Sequence, residues 1–356
     1  MLAEFPLQQI IDEEGNIVNH SYKEQITKEL ALSLYRNMKR IRMFDRKAIS
    51  LQRQGRLGTY PPFEGQEAAQ VGSALALKDH DWLFPTYRDH GATLTFGIDM
   101  HRLFLYWQGR LEGLVPPDNK RIFPPAVPIA TQIPHAAGAA WAEKKKNSSA
   151  AAIVYFGDGA TSEGDFHEGL NFASVFQVPL VLFNQNNQIA ISVPIEKQMN
   201  SKTIAQKGIA YEIPSVRIDG NDAFCVYFET KKALTAARQG NGPTLIEAVT
   251  WRYGAHTTAD DPSRYRDQDK SREKPDPIER VEKCMKHAGY WDEHAITLMN
   301  KEIETEIETA VMKMEKAAPP SVDDLFDYTY HHLPDSLSRQ KQQFKDFLRG
   351  VNYEHH

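Results

Sequence analysis

The sequence predicts an α/β fold in which helices cover both faces of a mostly parallel sheet, with further helices at both ends of the chain. The first observation is an apolar run, residues 151–156, followed by a helical pattern and a second apolar run, residues 180–183. The second is a repeat of this order, in which strand-like segments 215–219 and 244–251 enclose an amphipathic segment. A strand–helix–strand unit of this length implies a right-handed crossover and two parallel strands. We therefore expect a parallel sheet that is buried on both faces.

Composition and charge exclude several classes of protein. The formal net charge is −5 at pH 7, which argues against a nucleic-acid-binding surface. Cys225 and Cys284 are far apart and fit no zinc spacing, so we expect free thiols in a reducing compartment. The first residues lack the features of a secretory signal, and no apolar run approaches the length of a membrane span. We expect a soluble cytoplasmic protein with no nucleic-acid or membrane partner.

The sequence divides into three predicted parts. Residues 1–26 form an N-terminal arm, extended and weakly ordered, and residues 27–275 form the α/β domain. Residues 276–356 form a helical extension that packs on the same domain or on a partner subunit. In this extension, apolar residues at helical spacing from Ile296 to Met314 predict a stripe that faces the core or a partner, and residues 321–324 resemble a capping box.

Helical spacing predicts the first elements of the α/β domain. A helix runs from Thr27 to Gln54, and a second helix begins at residues 65–67. The small residues of the second helix favour close packing, such as a subunit contact. Residues 112–128 are rich in Pro and Gly and predict a loop, after which residues 135–144 form an Ala- and Gly-rich helix.

A polar and aromatic segment, residues 84–91, lies between two helical patterns. Its Arg88 can bind phosphate through a planar guanidinium fork, and the hydroxyl of Tyr87 can add a hydrogen bond. An isolated segment of this kind is more often structural than functional, so its role depends on the site that the rest of the chain forms.

Residues 150–192 carry the strongest chemical signal. The first strand ends at Gly157-Asp158-Gly159, where the glycines permit a tight turn and a close approach to a ligand. A helix with Ser162 available as its cap follows, and the next strand leads to Asn186-Asn187. Because the carboxyl ends of parallel strands meet at one edge of a sheet, we expect the side chains of Asp158 and Asn187 to lie close together.

These two side chains indicate a Mg²⁺ site that is shared with phosphate. A carboxylate and an amide oxygen are hard ligands, and Mg²⁺ is usually held by few protein groups together with substrate phosphates. The turn amides after Asp158 and the following helix N-terminus add donors for a diphosphate. The pattern matches the thiamine diphosphate motif, in which GDG is followed about thirty residues later by NN.

Other phosphate and metal motifs do not fit. A dinucleotide fingerprint needs a glycine at Ser162 and an acidic residue at the end of the second strand, where Asn186-Asn187 stands. No P-loop motif accompanies a strand, and the residues after Asp158 lack the alternating oxygen ligands of an EF-hand. A nucleotide-binding dehydrogenase is therefore disfavoured.

Residues 252–266 form a long charged loop at the carboxyl end of a predicted strand, where catalytic loops commonly lie. His256 in this loop can titrate near neutral pH and can both donate to and accept from a substrate. A lone loop histidine is more often a surface residue, but the edge it shares with Asp158 favours a functional role.

Several longer motifs occur in a fixed order from about Arg40 to the C-terminal helix. They are RQGRLGTY and EGQEA at 53–68, TYRDHG from Thr86, ATQIPHAAGAA from Ala130, YFGDGATSEGDFHEGLNFA from Tyr155, QNNQIAIS from Gln185, IDGND from Ile218, GPTLIEAVTWRYG from Gly242 and HTTADDPSRYR from His256. With these motifs the chain resembles the alpha subunit of the thiamine diphosphate-dependent decarboxylating component of 2-oxo acid dehydrogenase complexes.

This resemblance implies which residues bind the cofactor. Asp158, Asn187 and the backbone oxygen of Ile189 would ligate Mg²⁺. Further contacts to thiamine diphosphate would come from Tyr87, Arg88, Val127, Ile129, Gly157, Gly159, Ala160, Arg252 and His256, with Val127 and Ile129 on the aminopyrimidine side. Thr131 and Gln132 match positions that hold a structural K⁺ in some relatives. Gln185 departs from the pattern, since some relatives carry a phosphate-binding arginine there.

The resemblance also implies an activity. A 2-oxo acid would lose CO₂ and pass its acyl unit to the lipoyl group of a dihydrolipoyl acyltransferase, with His256 as the catalytic residue that stabilises the intermediate and assists acylation. Residues 53–68 and the C-terminal helices resemble those of bacterial pyruvate dehydrogenases, whereas other motifs recur equally in branched-chain 2-oxo acid dehydrogenases. Pyruvate is the favoured substrate, and a branched-chain 2-oxo acid is the alternative.

The chain is expected to provide half of an active site. Thiamine enzymes need a carboxylate against the aminopyrimidine ring, and 356 residues hold only the diphosphate-binding half. In the resembled family a beta subunit supplies this glutamate, so an alpha2beta2 heterotetramer is implied. A non-catalytic assembly subunit is another class of function, and the intact set of Asp158, Asn187 and His256 argues against it.

Overall fold

The computed structural model describes residues 4–267 and 274–353. Its strands are β1 (Trp82–Phe84), β2 (Arg121–Ile122), β3 (Ala152–Gly157), β4 (Leu180–Asn186), β5 (Ile189–Ala190), β6 (Val193–Pro194), β7 (Ser215–Asp219) and β8 (Thr244–Val249). Six of them form a parallel sheet in the order β2-β1-β3-β4-β8-β7, and β5 pairs with β6 in a short antiparallel hairpin. The predicted α/β class and mostly parallel sheet are confirmed.

The helices lie before, between and after these strands. They are α1 (Lys28–Arg53), α2 (Glu67–Leu75), α3 (His90–Phe96), α4 (Met100–Trp107), α5 (Gln132–Lys145), α6 (Gly164–Val175), α7 (Ala223–Arg238), α8 (Pro277–His287), α9 (Glu293–Glu315) and α10 (Asp335–Tyr353). The first helix begins after Thr27, whose side chain accepts a hydrogen bond from the Leu30 amide. This cap agrees with the predicted start of the helix.

Alternate side chains of β3 enter two separate cores, one on each face of the sheet. Ile153 and Tyr155 belong to the core that includes α1, α2 and α7, whereas Val154 and Phe156 belong to the core that includes α5 and α6. In the register of β3 with β4, Gly157 lies opposite Gln185. The two predicted motifs therefore lie at the same edge. The sequence did not predict β1 and β2, because three and two residues are too few for a period to show.

The small residues of α2 serve a contact within this chain. All residues from Glu67 to Ala74 are buried, and a β-carbon at Gly72 would lie 2.9 Å from the side chain of Val226 in α7. The expected subunit contact is therefore replaced by close packing of α2 on α7.

The N-terminal arm is packed, so the predicted weak order is wrong for its middle part. The amides of Ile10 and Ile11 donate to Oδ2 of buried Asp222 at 2.6 and 2.8 Å, and Gln8 pairs with Ile218 of β7. These contacts join residues more than 200 positions apart. For that reason the local sequence does not reveal them.

Ser162 does not cap α6. Residues 158–162 form a 3₁₀ turn, so the helix begins later, at Gly164, with Glu163 in the cap position. The Ser162 hydroxyl donates instead to the carbonyl oxygen of Gln198 at 3.4 Å.

The C-terminal helices continue the same core. The predicted stripe from Ile296 to Met314 is buried, and α9 packs against α1 and α4. Ser321 and Asp324 form the predicted capping box. Lys341 of α10 pairs with Asp323 at 2.6 Å. Within the described residues, no helix is both long enough and apolar enough to span a bilayer.

Candidate active site

A cavity of about 220 Å³ lies at the carboxyl ends of β3 and β4. The predicted site residues that line it are Tyr87, Arg88, Ile129, Gly157, Asp158, Gly159, Ala160, Asn187, Ile189, Arg252 and His256. Val127 does not line the cavity, and 57% of its surface is exposed to solvent. Its contact with an aminopyrimidine ring stays a prediction.

Arg88 joins the segment before α3 to the loop after β8. Its Nη2 lies 3.1 Å from Nδ1 of His256 and donates to the His256 carbonyl oxygen at 2.8 Å. Its Nη1 donates to the carbonyl oxygen of Pro62 at 2.5 Å. Because a guanidinium can only donate, Nδ1 of His256 must accept, so the ring is neutral and its proton is on Nε2.

The surroundings of His256 also favour the neutral ring. Burial and the positive charges of Arg88 and Arg252 lower the pKa of His256 to about 4, against a smaller opposing effect of Asp260. The His256 amide donates to Oδ2 of Asp260 at 2.7 Å, and the hydroxyl of Tyr265 donates to the same oxygen. Asp260 therefore orders the loop by accepting from the His256 backbone amide, whereas Nδ1 of the His256 ring pairs with Arg88.

A second cation, Arg252, lies buried in the same wall. Its Nη1 donates to the carbonyl oxygen of Gly254 at 2.8 Å, while its buried Nη2 has no hydrogen-bond partner among the described residues. Burial, followed by the positive charges of Arg88 and Arg266, lowers the pKa of Arg252 to about 10. Such a concentration of positive charge favours binding of an anion.

The side chains of Asp158 and Asn187, the oxygen ligands predicted for a metal, line the same cavity. Oδ2 of Asp158 accepts a hydrogen bond from Gln198 at 2.7 Å, and burial raises the pKa of the Asp158 carboxyl. Oδ1 of Asn187 accepts from the amide of Ile189 at 3.3 Å. In the part of the chain that the structure describes, no group of three or more His, Cys, Asp and Glu side chains could hold a metal. A cation here would need further ligands, such as phosphate oxygens.

The backbone beside the cavity adopts conformations that are rare for residues with side chains. Ala130, Gln188 and Ile191 have φ values of 68°, 67° and 56°. The left-handed region is unfavourable for a β-branched residue such as Ile191, and strain of this kind is typical of functional sites. Ala130 and Ile191 both line the cavity.

Sequence reasoning missed a chain of hydrogen bonds along one wall. The side-chain amide of Gln185 donates to Oδ1 of buried Asp89, and Nε2 of Gln66 donates to Oε1 of Gln185 at 3.2 Å. Asp89 also accepts from the Thr86 amide at 2.6 Å. Gln66 belongs to the EGQEA motif and Asp89 to the TYRDHG motif. These motifs were therefore the feature of the sequence that could have pointed to the two residues.

Comparisons with known proteins agree with this architecture. The model of the family described as "Dehydrogenase E1 component" matches residues 35–323. A protein of Acholeplasma laidlawii named "Pyruvate dehydrogenase E1 component subunit alpha" is 41% identical over 344 residues, which cover 96% of this chain and 100% of that protein. Proteins of the same name from Staphylococcus aureus strain Mu50 and Staphylococcus epidermidis are 40% identical over 347 residues, covering 97% of this chain and 94% of theirs.

Proposed function

The chain belongs to the dehydrogenase E1 component family, and we propose that it is the alpha subunit of a pyruvate dehydrogenase that acetylates a lipoyl group. The main support is a cavity at the sheet edge, lined by Arg88, Arg252 and Asp158. The chain that forms it is about 40% identical, over nearly its whole length, to proteins named for pyruvate dehydrogenase. Those names favour pyruvate over a branched-chain 2-oxo acid as substrate.

The cavity fits the diphosphate of thiamine diphosphate, the cofactor that the family implies. The unpartnered Nη2 of Arg252 and the guanidinium of Arg88 offer donors and positive charge. The turn of Gly157, Gly159 and Ala160 lines the same cavity and can contribute backbone amides. Because Nη2 of Arg252 has no hydrogen-bond acceptor among the described residues, a bound diphosphate would supply that acceptor.

Mg²⁺ is part of the proposal, with Asp158, Asn187 and the carbonyl oxygen of Ile189 as its protein ligands. One carboxylate and two neutral oxygens suit a Mg²⁺ that completes its octahedron with phosphate oxygens and water. A structural K⁺ at Thr131 and Gln132 is also proposed. In its support, Oε1 of Gln132 is buried without a partner among the described residues.

The residues of this chain bind, orient and stabilise charge. Bound thiamine diphosphate supplies the carbon nucleophile and the electron sink for decarboxylation. His256 holds a proton on Nε2 and can donate it in a hydrogen bond to a substrate oxygen that gains negative charge. Overall, the C1–C2 bond of pyruvate breaks and CO₂ leaves. The two-carbon unit is oxidised to acetyl while the lipoyl disulfide is reduced, so that one sulfur takes the acetyl group and the other a proton.

We further propose that a beta subunit supplies the carboxylate for the aminopyrimidine ring in an alpha2beta2 heterotetramer. Asp89 is engaged by Thr86 and Gln185, and Asp158 by Gln198, so neither of these buried carboxylates is free for that role. Glu163 lies exposed at the rim. The acyl acceptor would be the lipoyl domain of a dihydrolipoyl acyltransferase, and the cytoplasm is the proposed compartment.

The test is decarboxylation by the chain co-expressed with a candidate beta subunit, with pyruvate and 3-methyl-2-oxobutanoate offered separately. Preference for pyruvate is expected, and preference for the branched acid would move the proposal to the alternative. A His256→Ala variant should lose lipoyl acetylation, whereas His294→Ala, at an exposed position of α9, should not. Turnover of neither acid by a proven heterotetramer would refute the proposal.

A further inference from the structure

Asp45 of α1 is fully buried, and none of its hydrogen-bond partners among the described residues is a cation. Its Oδ1 accepts from the hydroxyl of Tyr60 at 2.7 Å, and its Oδ2 accepts from the amide of Glu64 at 3.0 Å. The amide of Phe63 lies 3.2 and 3.3 Å from the two oxygens. A single carboxylate thus holds the segment 60–64 at three points.

The segment 60–64 in turn supports the cavity wall at three places. The carbonyl oxygen of Pro62 accepts from Nη1 of Arg88. Tyr60 and Thr258 are joined twice, by the Thr258 amide to the Tyr60 carbonyl at 2.8 Å and by the Tyr60 amide to the Thr258 hydroxyl at 3.1 Å. The amide of Tyr253 donates to the carbonyl oxygen of Glu64 at 2.9 Å. His256 lies between the two supported positions of its loop.

We propose that Asp45 is a positioning residue of the active site: it fixes the segment 60–64 and thereby holds both Arg88 and the loop that carries His256. Asp45 does not line the cavity. Its effect on the reaction would pass through backbone carbonyl groups, not through contact with substrate. The proposal deepens the function proposed above, because it assigns Asp45 a role in placing Arg88 and His256 for that reaction.

Asp81 provides a matched control at the opposite end of the sheet. It is equally buried and accepts from the amides of Lys78 and Ala151, both at 2.8 Å, and also from Nη2 of Arg238 at the end of α7. Ala151 immediately precedes β3, so Asp81 lies at the amino edge of the sheet, away from the cavity. Loss of Asp81 should therefore destabilise the core without moving the site.

The experiment compares Asp45→Ala with Asp81→Ala in the full chain co-purified with its beta subunit. Hydrogen exchange is measured by mass spectrometry. The amides of Tyr253 and Thr258 report directly on the support of the loop. In Asp45→Ala we expect exchange of the peptide that contains them to accelerate at least about tenfold, because their acceptors lose fixed positions. In Asp81→Ala, exchange should accelerate around Lys78, Ala151 and Arg238, and the Tyr253–Thr258 peptide should exchange as in the parent.

Binding and turnover give a second readout. Asp45→Ala should weaken thiamine diphosphate binding and lower kcat by about 10- to 100-fold with little change in the KM for pyruvate, because small misplacements of catalytic groups slow the reaction strongly. Asp45→Asn keeps the size and one acceptor oxygen, so it should recover part of both losses, and it replaces Asp45→Ala if that variant does not fold.

Exchange of the Tyr253–Thr258 region that is unchanged in the Asp45 variants, or equally accelerated in Asp81→Ala, would overturn the positioning role. Failure of the unsubstituted complex to decarboxylate pyruvate would overturn the proposed function alone. In that case the exchange comparison still decides the role of Asp45.

Discussion

Arg88 contacts His256, 168 positions away in the sequence, through one guanidinium nitrogen that reaches both the imidazole ring and the backbone carbonyl. The same guanidinium also contacts the carbonyl oxygen of Pro62. One side chain therefore fixes the tautomer of the proposed catalytic histidine and contributes charge to the proposed diphosphate site. Cofactor binding and the placement of His256 should consequently be coupled.

Replacement of Arg88 by lysine tests this coupling. An ammonium group keeps the charge but cannot reach three acceptors with a planar fork, and each charge-assisted hydrogen bond contributes about 1.5–3 kcal/mol. We expect about 10- to 100-fold weaker binding of thiamine diphosphate, measured by titration calorimetry, together with a lower kcat. Arg36→Lys, at a surface ion pair with Glu302, should behave like the parent chain. Equal affinities for both variants would show that the fork is dispensable.

The protonation of His256 predicts a dependence of stability on pH. Its folded-state pKa of about 4 lies below the ordinary value of 6.5, so the unfolded chain takes up a proton first as the pH falls. The ligand-free parent should therefore lose stability between about pH 6.5 and pH 4 relative to His256→Gln. Urea unfolding at several pH values measures this difference, and ¹⁵N NMR of the ring should show the Nε2–H tautomer at pH 7. A protonated ring at pH 6 would contradict the assignment.

Because Asp158 is a proposed Mg²⁺ ligand, its replacement should reduce the dependence of thiamine diphosphate affinity on Mg²⁺. It is the carboxylate among the three proposed Mg²⁺ ligands, so Asp158→Ala should remove most of the gain in thiamine diphosphate affinity that Mg²⁺ provides. Fluorescence titration with Mg²⁺ and with EDTA measures that gain. Glu168→Ala, an exposed carboxylate on α6, serves as the control. If Mg²⁺ strengthens binding equally in Asp158→Ala and in the parent, Asp158 is not a ligand.

The buried stripe of α9 predicts a large effect on stability. Ile303 is fully buried, and Ile303→Ala should lower the free energy of unfolding by about 2–5 kcal/mol, because it removes apolar contacts and leaves a cavity. Leu298 on the same helix is 48% exposed, so Leu298→Ala should cost much less. Denaturant unfolding of both variants tests the difference. Similar losses would mean that α9 does not belong to the main core.

Sequence periodicity was sufficient for the longer elements and for the edge at which the site lies, but not for the short strands β1 and β2. The bounds of β7 are those predicted, α7 occupies the predicted amphipathic segment, and Asp158 and Asn187 line one cavity because β3 and β4 are parallel neighbours. A crossover helix requires this arrangement, so local pattern and chain topology decide it together. The capping box at Ser321 was predictable for the same reason, since its partners are three residues apart.

Only the tertiary structure decided which side chains contact one another at that edge of the sheet. Gln185 contacts Asp89, 96 positions away, and Asp45 supports a segment whose Tyr60 contacts Thr258, 198 positions further along the chain. The packed N-terminal arm depends in the same way on a distant carboxylate, Asp222. Hydrogen-bond partners in loops are set by where packed helices and strands place the loop ends, and no repeating period in the sequence records that placement. The sequence by itself therefore determined the longer elements and the edge of the site, whereas the tertiary structure decided its hydrogen-bond network.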